Sequence, residues 1–193
     1  LYKLHKISEN ISVGVLQLPD FAGQRGITAK RDQERQGSLF LLEQLFNKPV
    51  RLKYSAEGKP AVEGESAHIS ISHSHDKLAI IKNDKQATGI DIELVRDKVL
   101  KVRDKFLCEE ELEATGTDVE KLILYWAAKE ALYKLYGMKE VEFAKHLYIE
   151  NLEVKAEGNF RGHIRLERFH KKFLLHYEKL EDYMLVYILH EIE

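Results

Sequence analysis

Three acidic side chains stand where oxygen chemistry could gather. In Gly89-Ile90-Asp91-Ile92-Glu93 the isoleucines and carboxylates alternate. Alternation with period two is the pattern of a strand, so Ile90 and Ile92 face a core while Asp91 and Glu93 share the opposite face. About 7 Å apart along such a strand, two carboxylates repel each other unless a cation lies between them. That makes the stretch a candidate divalent-metal site, although a half-exposed strand with no ligand reads the same way. The third acid, Glu130, follows the nearly all-apolar run Leu122-Ile123-Leu124-Tyr125-Trp126-Ala127-Ala128. Ile123, Ala127, Glu130 and Lys134 are spaced i, i+4, i+7 and i+11 and share one helical stripe, so Glu130 points into a partly dry place where it needs a cation or donors. The ordinary alternative is an intrahelical Glu130–Lys134 pair in the favoured order, contributing about 0.3–0.5 kcal/mol.

Oxygen-only ligation by a few carboxylates suits Mg²⁺, which keeps several waters and binds the phosphate oxygens of a substrate. Zinc is a poor fit, because neither Cys108 nor any histidine stands at a zinc-like spacing to these acids. There is no EF-hand loop for calcium, no Walker-type glycine loop and no Rossmann fingerprint. An ordinary kinase, NTPase or dehydrogenase is therefore not expected.

Donors for a phosphorylated substrate are present elsewhere. Ser72-His73-Ser74-His75 is a cluster of hydroxyls and imidazoles where an alternating segment runs out. Such a cluster can hold a phosphate; it reads equally as a polar strand end. Lys30, Arg31 and Arg35 lie in a polar run that is either a solvated helix face or part of the same pocket.

The elements that must position these residues are legible in outline. Ile11–Leu16 reads as a first strand, ending near Pro19. Residues 27–47 read as a helix with Thr28 as a candidate N-cap, solvated in its first half and apolar from Leu39 to Phe46. Residues 50–66 look loop-like. His68–His75 is a strand with Ile69 and Ile71 inward, and Leu78–Lys82 and Gln86–Glu93 look like the two arms of a hairpin about Asn83-Asp84. Cys108 falls near a helix start with Glu109, Glu110 and Glu111 in its first turn, which suits the helix dipole. Residues 118–137 form the strongest helix, with Asp118 as N-cap and Gly137 at its end. Leu147–Lys155, Phe160–Leu166, Phe173–Tyr177 and Met184–His190 read as strands, with Glu157-Gly158-Asn159 as a turn. Each half of the chain is thus a helix followed by strands, with a boundary near residues 83–88 that gives units 1–85 and 86–193.

Bulk properties narrow the setting. With 44% hydrophobic and 32% charged residues over 193 positions, the chain can bury a real core. A net charge of −2 gives no global attraction to nucleic acid or to an anionic membrane. One cysteine excludes an internal disulfide framework and fits a reducing compartment. No apolar run reaches membrane-spanning length and no signal-peptide pattern opens the chain, so a cytoplasmic protein is expected.

Gly89-Ile90-Asp91-Ile92-Glu93, followed by Trp126-Ala127-Ala128-Lys129-Glu130-Ala131-Leu132-Tyr133-Lys134, closely resembles the paired signature of the 4′-phosphopantetheinyl transferases. That signature is a glycine–aliphatic–Asp–aliphatic–Glu strand and then Trp-x-x-Lys-Glu-Ala-x-x-Lys. Between the two, Phe106-Leu107-Cys108-Glu109-Glu110-Glu111-Leu112 resembles the family's Phe-x-Ser-x-x-Glu segment, with Cys108 where serine is common. Upstream, Gly58-Lys59-Pro60 and Ile71-Ser72-His73-Ser74 look like the N-terminal motifs of the larger, Sfp-like class. The four motifs occur in order across residues 58–134.

The resemblance implies a reaction: transfer of the 4′-phosphopantetheine arm of coenzyme A to a serine of an apo acyl, aryl or peptidyl carrier protein, releasing 3′,5′-ADP. It implies Mg²⁺ held by Asp91, Glu93 and Glu130, with Lys134 near the phosphates and Glu130, or a metal-bound water, deprotonating the serine. Glu111 is a further catalytic candidate, its role varying within the family. Lys59, His73 and Ser74 are implied to hold coenzyme A phosphates, with Lys30, Arg31 and Arg35 adding to that pocket. The implied fold is α+β, two similar halves packed as a pseudo-dimer, and the length implies a monomer with one site. Two other readings of the same scaffold are a coenzyme A-pyrophosphate hydrolase and a non-catalytic binder of carrier proteins.

Overall fold

A computed structural model covers residues 1–193 and shows two larger antiparallel sheets that share a core. In the first, β1 (Tyr2–Lys6), β2 (Ile11–Gln17), β6 (Lys77–Asn83) and β5 (His68–Ser74) lie side by side in that order. In the second the order is β7 (Ile90–Leu94), β11 (Tyr183–Ile192), β10 (Phe169–Leu180), β9 (Glu157–Leu166) and β8 (Leu147–Ile149). A small hairpin of β3 (Leu52–Tyr54) and β4 (Pro60–Val62) stands apart. Five helices complete the α+β fold: α1 (Leu18–Arg25), α2 (Lys30–Phe46), α3 (Glu109–Thr115), α4 (Val119–Tyr136) and the single-turn α5 (Phe143–His146). No helix is long and apolar enough to cross a membrane.

The period-two pattern builds the shared core. Ile11, Val13 and Val15 of β2 and Ala79 and Ile81 of β6 meet Ile90 and Ile92 of β7 and Tyr183, Leu185 and Tyr187 of β11. Ile90 and Ile92 are therefore buried between the sheets, which leaves Asp91 and Glu93 on the other face of β7. On that face lies α4, packed across β7 and β11. It is apolar nearly all round because it is covered nearly all round, from Leu122 to Leu135. Asp118 accepts a hydrogen bond from the Lys121 N–H, and Gly137 ends the helix at φ 69°. α2 packs instead on β2 and β6, burying Leu41 and Leu42 while its first turns stay in solvent. It starts at Lys30 with Ala29, not Thr28, in the N-cap position.

Four further sequence expectations change. Leu78–Lys82 and the segment ending at Glu93 are not a hairpin. Both edges of β6 are taken by β2 and β5, while β7 pairs with β11. Asn83 does make a turn, its side-chain oxygen accepting the N–H groups of Lys85 and Gln86, but the turn carries the chain from one sheet to the other. Glu157-Gly158-Asn159 is strand, paired with Glu178, Tyr177 and His176. Its glycine serves packing, since a Cβ there would lie 2.9 Å from the Tyr177 ring. Only Leu147–Ile149 of the segment 147–155 is a strand, and the loop at 50–66 contains the small hairpin.

Gly89 shows how closely the site's two elements approach. A Cβ at this position would stand 1.9 Å from the backbone oxygen of Ala131 in α4. No side-chain rotation relieves a clash with backbone, so β7 and α4 would have to separate. Gly89→Ala is expected to lower unfolding stability by about 3 kcal/mol or more, read from the urea midpoint. A variant within 1 kcal/mol of the parent, roughly the tolerance of a conservative core change, would contradict this placement.

Candidate active site

Asp91, Glu93, Glu130 and Lys134 meet where β7 lies against α4. Asp91 is only 3% exposed. Its Oδ1 accepts from Lys134 Nζ at 2.6 Å and from Ser72 Oγ at 2.7 Å, while its Oδ2 is buried with no partner at all. Glu93 accepts from Ser74 Oγ at 3.0 Å and from the Trp126 indole N–H at 3.0 Å. Lys134 also donates to the Ile90 carbonyl at 3.2 Å. It thus pairs across to the strand rather than along its own helix to Glu130.

The electrostatics are those of too much negative charge in too little water. Burial pushes the Asp91 carboxyl above its usual range, against the pull of Lys134 and Ser72. Burial and then the charge of Asp91 raise Glu93. Glu130 is pushed up to about 7, by burial first and then by Asp91, with Lys134 opposing and Glu93 adding a smaller push. One ammonium facing three coupled carboxylates leaves room for a further cation.

The donor chemistry fits a hard divalent cation, and the unpartnered Asp91 Oδ2 is the atom that most needs one. The three carboxylates are not, however, drawn into a ready-made cluster: no group of three or more His, Cys, Asp or Glu side chains is disposed to hold a metal ion. Mg²⁺ takes one or two carboxylates directly and completes its shell with water and phosphate oxygens, so it does not require all three to converge on one point.

Two clefts flank Tyr133, which lines both. The first, about 570 Å³, is lined by cationic and polar groups: Arg31 and Arg35 of α2, Lys59, His73, Ser70 and Lys134. Lys59 reaches it from the turn between β3 and β4, donating to the Leu135 carbonyl at 2.8 Å near the end of α4, where a cation suits the helix dipole. Its pKa is lowered by burial. His73 Nδ1 stands 3.4 Å from Glu34 Oε1 in the same cleft. The second cleft, about 750 Å³, is lined by Phe106, Trp126, Phe143, Val141 and Glu130, with Lys105 and Lys139 also on its walls. Asp91 and Glu93 line neither cleft and are tied to them by Lys134 on one side and Trp126 on the other.

The structure does not bring every candidate into this arrangement. Lys30 is exposed at the start of α2 and outside the cleft. Ser74 points away from it, onto Glu93. Glu111, 1% exposed, lines neither cleft. One of its oxygens accepts from Lys129 Nζ at 2.6 Å and from the Cys108 N–H at 2.9 Å, the other from the Ile149 N–H at 2.8 Å. Lys129 spends its remaining donors on the carbonyls of Phe106 and Phe143. Sequence reasoning missed what the Trp126 indole and the Ser72 hydroxyl do, which is to hold Glu93 and Asp91. The serine alternation at 70, 72 and 74 was visible; its partners on another sheet were not.

A family model described as the 4′-phosphopantetheinyl transferase superfamily matches residues 87–188, just over half of the chain. No curated protein matches it.

Proposed function

Because the chain belongs to the 4′-phosphopantetheinyl transferase superfamily, we propose that it moves the phosphopantetheine arm of coenzyme A onto a serine of an apo carrier protein and releases 3′,5′-ADP. The observation that carries this reading is the buried, unpartnered Asp91 Oδ2 next to Lys134, beside a cleft lined with arginine, lysine and histidine.

In this reading Arg31, Arg35, Lys59 and His73 receive the nucleotide phosphates of coenzyme A in the first cleft. Lys134, on the wall of that same cleft, holds the pyrophosphate against the helix. Asp91, Glu93 and Glu130 are the oxygens that would hold Mg²⁺. When bound, magnesium supplies charge neutralisation for the phosphate that leaves as 3′,5′-ADP. Glu130, at the edge of the second cleft, takes the proton of the incoming serine as general base. The second cleft, with aromatic walls and Glu130 at its edge, receives the arm and the serine that accepts it. Glu111 and Lys129 do not enter the chemistry. They hold Phe106 and Phe143, which flank Trp126 at centroid distances of 5.0 and 5.6 Å. The two sheets, each with one long helix, are read as two halves, 1–85 and 86–193, packed as a pseudo-dimer of the Sfp-like class, with one site in a monomer.

The test is whether 3′,5′-ADP appears only when coenzyme A, Mg²⁺ and an apo carrier are all present. Release at the same rate without carrier would assign a hydrolase instead. Phosphate contacts give a second check. Arg31→Ala and Arg35→Ala are each expected to raise the KM for coenzyme A roughly tenfold, the loss of one charge-assisted hydrogen bond. The same variants are expected to act nearly as the parent on coenzyme A lacking its 3′-phosphate. An equal loss with both substrates would move that phosphate elsewhere.

A further inference from the structure

β5 and β7 belong to different sheets and share no backbone ladder, yet they are joined. Ser70, Ser72 and Ser74 alternate along β5 and reach across the seam. Their hydroxyl oxygens accept the N–H groups of Ile90, Ile92 and Leu94 at 3.2, 3.3 and 3.3 Å. A serine hydroxyl has one proton left to give. Ser72 gives it to Asp91, and Ser74 gives it to Glu93. The same offset from Ser70 falls on Gly89, which has no side chain to receive it.

We propose that Ser72 and Ser74 are positioning residues for the cation site, and that Ser74 acts on Glu93 rather than on a coenzyme A phosphate. The inference rests on the reading of Asp91, Glu93 and Glu130 as cation ligands. Each hydroxyl is anchored by a backbone N–H of β7 and turned onto the carboxylate one residue earlier, so strand and side chain are held together. At Asp91, Ser72 and Lys134 both engage Oδ1, and that arrangement leaves Oδ2 free. At Glu93, Ser74 and Trp126 each take one oxygen and fix the plane of the carboxylate. Both serines are buried, so water does not readily replace them. Partners that orient metal ligands change metal affinity about 10–100-fold when removed.

Ser70 provides the control, since it supports β7 in the same way but touches no carboxylate. Magnesium alone, without coenzyme A or carrier, is titrated by calorimetry into the parent protein and into Ser70→Ala, Ser72→Ala and Ser74→Ala, with unfolding midpoints measured alongside. Ser72→Ala and Ser74→Ala are expected to weaken magnesium binding about tenfold or more. Ser70→Ala is expected to lower the unfolding midpoint but to leave magnesium affinity within about twofold, well under that range. Ser72→Thr and Ser74→Thr, which keep the hydroxyl, are expected to recover most of the loss. If an alanine variant does not fold, the cysteine variant, of similar size with a weak donor, takes its place with the same expected weakening. Parent-like affinity in Ser72→Ala and Ser74→Ala, or an equal loss in Ser70→Ala, would overturn the proposal while leaving the transferase reading intact. A parent protein that binds no magnesium would overturn the metal reading itself and the proposal with it.

Discussion

Glu130→Gln is expected to abolish phosphopantetheine transfer and, at the same time, to make the free protein more stable. The two effects share one cause. Glu130 is half-buried on the cleft wall at a site already crowded by Asp91 and Glu93, and its carboxyl is pushed up to about 7 from the ordinary 4.5. Below about pH 4.5 the group is protonated folded and unfolded, and it has no effect on stability. Between 4.5 and about 7 the folded protein keeps a proton that the unfolded chain gives up, so stability falls as pH rises. Above that window the group is ionised in both states and the folded protein carries the full penalty. At about 1.4 kcal/mol per pKa unit, this is on the order of 3 kcal/mol. Glutamine carries no such penalty. Its gain over the parent should be small at pH 5 and approach that value at pH 8, in thermal or urea unfolding without magnesium. Transfer should drop about a thousandfold or more, because a proton acceptor and a cation ligand are lost together. A variant equally stable at both pH values, or one that still transfers, would contradict the role given to Glu130.

Glu111→Gln is expected to do the reverse. Glu111 and Lys129 are fully buried and bonded to each other at 2.6 Å. Burial already pulls the Lys129 ammonium below the lysine range, with Glu111 opposing. Removing the glutamate charge leaves the lysine unpaired in the interior and turns an amide N–H₂ toward a donor. The loss is expected to be about 3–5 kcal/mol of stability. Transfer per folded molecule should stay within a few-fold of the parent when assayed well below the unfolding midpoint. A large fall in kcat in a protein still folded would instead restore Glu111 to the chemistry.

These two glutamates also show what a sequence can and cannot disclose. Glu130 was legible because its own stripe is apolar, so a charge there had to be met by something. Glu111 was not, because it belongs to a run of three glutamates at a helix start, where dipole complement explains all three equally well. Only the fold separates it from exposed Glu109 and Glu110, by bringing Lys129 from α4. The faces of β7 were legible from its alternation, but its neighbours were not. Period two says which side of a strand is buried and nothing about which strand lies beside it, which is why a hairpin was expected where the chain changes sheets. Gly158 was misread for a similar reason, since its purpose is room for a tyrosine far away in sequence. The serines of β5 carried a visible rhythm, but its meaning depends on an offset to β7 that no local pattern encodes. The basic residues were legible as charges. That Arg31, Arg35 and Lys59 share a cleft while Lys30 stays outside it follows from where α2 begins and how it lies on its sheet.

The most direct measurement is the intact mass of an apo carrier protein incubated with this protein, coenzyme A and Mg²⁺, across carriers of the acyl, aryl and peptidyl kinds. At least one is expected to gain the mass of a single phosphopantetheine arm on its acceptor serine, with no gain when magnesium is chelated or when Glu130→Gln replaces the parent. Unchanged mass in every carrier, with the protein folded and magnesium and coenzyme A in excess, would contradict the assignment of this site to phosphopantetheine transfer.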